Sequence, residues 1–247
     1  MTADEFPLLV LVGSFALQVL TTVAGDAARK RSSNVRDAQT DAALLLSSTL
    51  MLLYLIVGFC FSMAINRYDL RKNAENNEAL AIAAEYSRAD LLKPEHKAKV
   101  QALLRDYLEM RIASYLTSSD DSAADSRELQ QKVWPVVRAA ITEMPPPLPE
   151  LMITGMNDVM NAQGASRGAF SDRIPAPVWA LMIAIAAGCC WVIGLRARRT
   201  DWFAFMIVPI SASVSFFLIA DLDSPHGGAI RVAPQNLTSL SQTLSAR

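Results

Sequence analysis

The sequence predicts an all-α integral membrane protein. Four transmembrane helices are arranged two and two, with a helical extramembrane domain inserted between helices 2 and 3. Three observations carry this. Residues 8–24, 42–65, 178–195 and 202–220 are apolar stretches without a single Asp, Glu, Lys, Arg or His. A helix needs roughly 20 such residues, in a range of about 17–25, to cross a ~30 Å hydrocarbon core. The charged residues, 19% of the chain, are segregated into the loops and the middle. A soluble bundle would instead interleave them at helical spacing, leaving one polar face on each core helix. Finally, neither Gly nor Pro occurs between Gly58 and Pro94, so the second span continues past the membrane surface as one long helix. The expected organisation is residues 1–66 for the first pair of spans, 67–174 for the helical domain, 175–221 for the second pair and 222–247 for a tail.

The first span is read as retained. Thr2, Ala3, Asp4 and Glu5 precede it, whereas a secretory signal has a positive segment there. Its charges follow instead, at Arg29, Lys30, Arg31 and Arg36, and the short loop after span three carries Arg196, Arg198 and Arg199. The positive-inside rule then makes both short loops cytoplasmic, in a bacterial inner membrane, and the helical domain periplasmic. Arg67, Arg71 and Lys72 after span two, with Arg167 and Arg173 before span three, pull the other way.

Within the middle, Arg71–Glu75 and Glu85–Arg88 are spaced to pair along the long helix. Leu91 to Glu95 breaks it, with Pro94 starting the next helix. Val100, Leu103, Leu104, Tyr107, Leu108 and Tyr115 then recur as one apolar stripe. A third helix is expected over about 123–144, kinked at Pro135, and a fourth over 148–162 after Pro145-Pro146-Pro147. The Gly- and Ser-containing run 163–171 reads as a linker to the third span.

Composition excludes several functions. A net charge of −1 offers no basic face for nucleic acid. Cys60, Cys189 and Cys190 all lie in spans, and His96 and His226 have no ligand-spaced companions, so neither a disulfide framework nor a metal site is expected. No phosphate-cradling Gly loop or nucleophile elbow is present, so no cofactor and no catalytic residue is assigned. The spans hold no central ionisable residue of the kind that pumps use.

The run from Arg67 to Arg111 resembles the bestrophin-like family of bacterial multi-pass membrane proteins, a family without a firm biochemical assignment. The telling pieces are Asn77-Glu78-Ala79, Tyr86, Arg88 to Leu92 and Leu104-Arg105-Asp106-Tyr107, together with Asn157 and Arg167 before span three. Asp223, Pro225 and the following glycines resemble the family's close after its last span, although Ser224 stands where a basic residue is usual. The family's name records a distant similarity to bestrophins, pentameric anion channels with the same order of elements and a cytoplasmic soluble region. The resemblance therefore implies a homo-oligomer in the lipid bilayer, and a possible reading as an anion channel. Its rival is an envelope protein whose helical domain docks an unknown protein partner.

For a channel, Ile56, Phe59 and Met63 on span two would form an apolar constriction, with Ser62 or Asn66 at its mouth. Ordinary helix packing around Gly58 is the competing account. Glu78 and Arg88 are expected on the exposed part of the long helix, with a buried Glu–Arg contact to the next helix through Arg105 or Arg111. Asp221, Asp223 and the turn from Pro225 to Gly228 are expected to close the last span as a cap, or else to bind a cation.

Overall fold

The computed structural model describes residues 6–31, 39–116, 122–142, 144–196, 202–225 and 227–246. The described residues form eight α-helices and one short 3-10 turn, and contain no strand. In chain order they are α1 (Phe6–Arg31), α2 (Gln39–Arg88), the 3-10 turn Ala89–Leu91, α3 (Pro94–Leu116), α4 (Ser122–Ile141), α5 (Leu148–Ser171), α6 (Ala176–Arg196), α7 (Trp202–Asp223) and α8 (Gln235–Ser245). Four stretches are long and apolar enough to cross a bilayer; they lie within Phe6–Arg31, Leu44–Leu91, Leu148–Arg196 and Phe205–Asp223. The all-α, four-span reading is therefore what the structure shows. The chain divides into two compact units, Met1–Tyr68 with Arg173–Arg231, and Asp69–Asp172 with Val232–Arg247.

In the first unit α1 is turned inside out relative to a soluble helix. Its buried residues are Pro7, Ser14, Gln18, Thr22 and Gly25, small or polar and spaced along one face. Its large apolar side chains point away, Val12 being 65% and Leu20 66% exposed. In water this would waste most of the hydrophobic gain; in lipid the tails cover the apolar face while the polar face packs helix on helix. Ser14 and Thr22 return their hydroxyls to carbonyls of their own helix, Leu11 and Gln18. Gln18 reaches across: its Nε2 donates to Ser213 Oγ on α7 at 3.1 Å, and its Oε1 accepts the Cys190 thiol of α6 at 3.6 Å.

The crossing of α1 and α6 is a glycine-on-glycine contact. A Cβ on Gly25 would run into the Trp191 carbonyl and Gly194 Cα, and one on Gly194 into the Thr22 carbonyl. The two backbones touch directly, which only Gly permits. On α2, Leu53, Val57, Cys60 and Ala64 face inward against Met182, Ala186 and Cys189 of α6 and Phe216, Ile219 and Leu222 of α7. Pro209 sits inside α7 without ending it.

The chain leaves α7 through a capped turn. The Asp223 carboxylate accepts the Ile174 backbone N–H at 3.0 and 3.1 Å. The Asp221 carboxylate accepts Ala229 N–H at 2.8 Å and Ile230 N–H at 3.0 Å. Gly228 has φ +88°, and a Cβ there would collide with Asp221. Both aspartates thus serve as caps, which is the first of the two expectations for them, and Pro225 is buried beside them. His226 lies outside the described residues.

The second unit packs around the stripe expected on α3. Val100, Leu104, Tyr107 and Leu108 join Ile82, Tyr86 and Ala89 of α2 and its 3-10 turn, Val133 and Val137 of α4, and Met152, Met156 and Val159 of α5. Two expectations are corrected here. The run 163–171, read as a linker, is the last part of α5. Gly164 and Gly168 lower helix propensity, but Gln163 and Ser166 are buried, and tertiary packing outweighs propensity. The tail, in which no element was expected, contains α8. Its Leu237 and Leu244 are buried and Leu240 packs against the same core, a spacing of three and four residues that the sequence carries in plain view.

Two charged residues of α2 hold helix ends. Arg71, 1% exposed, donates to the carbonyls of Ala169 and Asp172 at the C-terminus of α5. Glu75, one turn on, accepts the backbone N–H groups of Asn236 and Leu237, both at 2.9 Å, and Asn236 Nδ2 at 2.7 Å, at the N-terminus of α8. Each charge opposes the helix dipole it meets and satisfies orphan backbone groups.

Candidate functional site

In the first unit the outer side of α2 is uncovered by the other described residues. Phe59 is 66% and Met63 39% exposed, and Ile56 is half-buried at the edge of the core. Of the three residues expected to form a constriction, Phe59 and Met63 are thus on the outer side, while Ile56 packs partly against the internal core. Ser62 and Asn66, three and seven positions after Phe59, are exposed too. Tyr54 is on a different side, its hydroxyl 2.6 Å from Ser211 Oγ of α7. A Cβ on Gly58 would meet nothing within 4 Å, so the tight helix packing expected at Gly58 is not found among the described residues; the tight crossing uses Gly25 and Gly194 instead.

In the second unit the residues of the motif stretch separate into buried and exposed sets. Glu78 is 0% exposed, a correction to its expected place on an exposed face. The reason is that four donors surround it: Arg111 Nε and Nη2, the Tyr107 hydroxyl at 2.9 Å and the Tyr115 hydroxyl at 3.3 Å. The Glu–Arg contact expected between the two helices is thus present, with Arg111 as the cation. Burial and the adjacent Glu78 charge push the Tyr107 phenol well above its ordinary range, so it stays a neutral donor. Burial does the same to Tyr115, whose hydroxyl also pairs with Ser166 of α5 at 2.7 Å. This cluster ties α2, α3 and α5 together, and all of its oxygens have partners.

Arg105 instead donates to the Tyr86 hydroxyl and lies over that ring, 5.5 Å from its centroid. Asn77, Asn157 and Arg167 are exposed. Arg88 pairs with Glu85 at 3.3 Å, as the spacing predicted. Glu85 is again fully buried, and its second oxygen, Oε1, has no hydrogen-bond partner. Desolvation raises its pKa to about 7, against the pull of Arg88. Sequence reasoning named Glu85 only as a surface pair; the signal for burial was Gly155, which no local pattern links to it. A Cβ at Gly155 would strike Glu85 Oε2 and Arg88 Nη1.

Among the described residues no group of three or more His, Cys, Asp or Glu could hold a metal ion. The arrangement offers two things: an uncovered apolar and polar face on a membrane helix, and a hydrogen-bonded polar interior in the extramembrane unit.

Comparison with known proteins bears on the fold and the family. No curated protein matches the chain. Solved structures do. A crystal structure of a point variant of a bacterial bestrophin homologue from Klebsiella pneumoniae is similar with a TM-score of 0.67 at 14% identity, covering 96% of this chain and 98% of that one. A second variant of the Klebsiella pneumoniae homologue gives a TM-score of 0.65 at 14% identity, with 97% and 95% covered. A structure described as a membrane protein gives 0.63 at 14% identity, with 95% of each chain covered. At such identities the likeness establishes the fold. The sequence profile of the Bestrophin-like domain matches residues 12–237.

Proposed function

The chain belongs to the bestrophin-like family, and from that premise we propose that it is a homo-oligomeric ion channel, selective for anions, whose constriction is formed by α2. The observation that carries the proposal is the uncovered side of α2. Phe59 and Met63 are bulky and apolar, and lipid would cover them well enough. Ser62 and Asn66 are exposed beside them, and lipid offers these nothing, whereas a water-filled mouth hydrates them. Repeated around a symmetry axis, Ile56, Phe59 and Met63 become apolar rings that close by dewetting, with the polar residues at the wider end.

The proposal is tested by the oligomeric mass in mild detergent and by current in planar bilayers. Phe59→Ala widens the ring and lowers the dewetting barrier, so the expected result is a several-fold larger or less gated anion current. A monomer, or no current from either protein, overturns the proposal.

We place the protein in the inner membrane with both short loops cytoplasmic and the helical unit periplasmic, on the Arg and Lys bias around spans one and three. Ser87 is exposed on α2 of the helical unit, and Cys60, Cys189 and Cys190 are all buried. A Ser87→Cys variant should therefore label with an impermeant thiol reagent on intact, outer-membrane-permeabilised cells, over a low background. Labelling only after lysis reverses the orientation.

A further inference from the structure

The ion pair at the last turn of α2 is built asymmetrically. Glu85 has no exposed surface, one orphaned oxygen and a single cationic neighbour, Arg88. Arg88 itself is 26% exposed and has a second carboxylate in view, Asp158 on α5, with Nη1 to Oδ2 at 3.9 Å and Asp158 half in solvent. Gly155 of α5 leaves the space in which both side chains meet. The guanidinium therefore stands between a dry carboxylate on one helix and a wet one on the other.

We propose that Glu85, Arg88 and Asp158 form a proton-operated switch: Arg88 holds to Glu85 while that carboxylate is charged and moves to Asp158 when Glu85 takes up a proton, changing how α5 is fastened to α2. The physics follows from burial. An ionised carboxylate with an unfilled acceptor site in a dry interior is costly, and a proton relieves it. Once Glu85 is neutral, its hold on Arg88 falls to that of an ordinary hydrogen bond, and the charge on Asp158 wins.

The groups around Glu85 fix the direction. Its own helix supplies Arg88, and α5 supplies Asp158, whose negative charge favours the protonated form. On α3, Arg105 is engaged by the Tyr86 hydroxyl. The neighbouring core residues Ile82, Ala89, Met152 and Met156 do not titrate. The carboxyl changes state at about pH 7, inside the range a cell envelope experiences. Its folded pKa lies above the ordinary value of 4.5, so its contribution to stability is full below pH 4.5 and is lost as pH rises to about 7.

The test is hydrogen–deuterium exchange of the full chain in detergent from pH 5.5 to 8.5, corrected for intrinsic exchange and read on peptides from the first half of α5. Wild type should change protection with a midpoint near 7. Glu85→Gln, a neutral isostere, should hold the low-pH protection throughout. Asp158→Asn, at a half-exposed position, removes the carboxylate to which Arg88 moves, so the pH-dependent step in α5 protection should shrink or vanish. Superimposable profiles for wild type and Glu85→Gln overturn the switch. If Glu85→Gln does not fold, a step of wild-type size in Asp158→Asn overturns it.

Discussion

Replacing Glu78 with Ala should cost the extramembrane unit about 3–5 kcal/mol, a large part of the stability of any domain. The loss is not that of one salt bridge. Arg111, 7% exposed, would keep its charge in a dry interior with no counter-ion, and the Tyr107 hydroxyl, buried with it, would lose its acceptor. Tyr107→Phe removes one neutral donor to the same carboxylate and should cost only about 0.5–1.5 kcal/mol. Thermal unfolding in detergent, followed by size-exclusion chromatography, separates the two. A Glu78→Ala protein no less stable than Tyr107→Phe would mean that the cluster does not hold these helices together.

Gly25→Ala should be almost as damaging in the membrane unit, at about 3 kcal/mol. The added methyl meets backbone atoms of Trp191, Gly194 and Leu195, which cannot rotate aside as a side chain would. α1 and α6 must move apart, and dispersion along the whole seam is lost with them. Gly13 on the same helix has nothing within 4 Å of its would-be Cβ. Gly13→Ala should therefore be neutral or slightly stabilising, since Ala is the better helix former by about 1 kcal/mol. Resistance of the folded state to sodium dodecyl sulfate, measured for both variants, checks the pair; equal resistance would show that the glycine contact is dispensable.

The spans were legible because lipid imposes one demand on twenty consecutive residues, and no partner need be known to read it. The α3 stripe was legible for the same reason on a smaller scale: Val100, Leu104, Tyr107 and Leu108 sit on one helix face whatever covers them. Glu78 and Glu85 were not legible. Within the sequence they look like solvated charges on a long helix, and their burial depends on Arg111, 33 positions away, and on Gly155, 70 positions on. Arg71 and Glu75 present the same difficulty, since the helix ends they cap belong to α5 and α8. The last part of α5 was not legible, because Gly and Ser read as loop residues, whereas Ser166 is the partner of Tyr115. The exposure of Phe59 on the outer side of α2 is a matter of the helical wheel, which needs only the sequence.

The polar seam of α1 sets an order of events during synthesis. Gln18 finds its partners 172 positions later at Cys190 and 195 positions later at Ser213. At about 5–20 residues per second, α1 leaves the ribosome on the order of ten to thirty seconds before either arrives. Ser14 and Thr22 can wait, because their own helix satisfies them. Gln18 lacks both of its native partners for that interval, while Val12 and Leu20 already favour the bilayer. A nascent chain stopped after α2 would thus be inserted yet unfinished, with one amide whose native partners both lie on the last two spans.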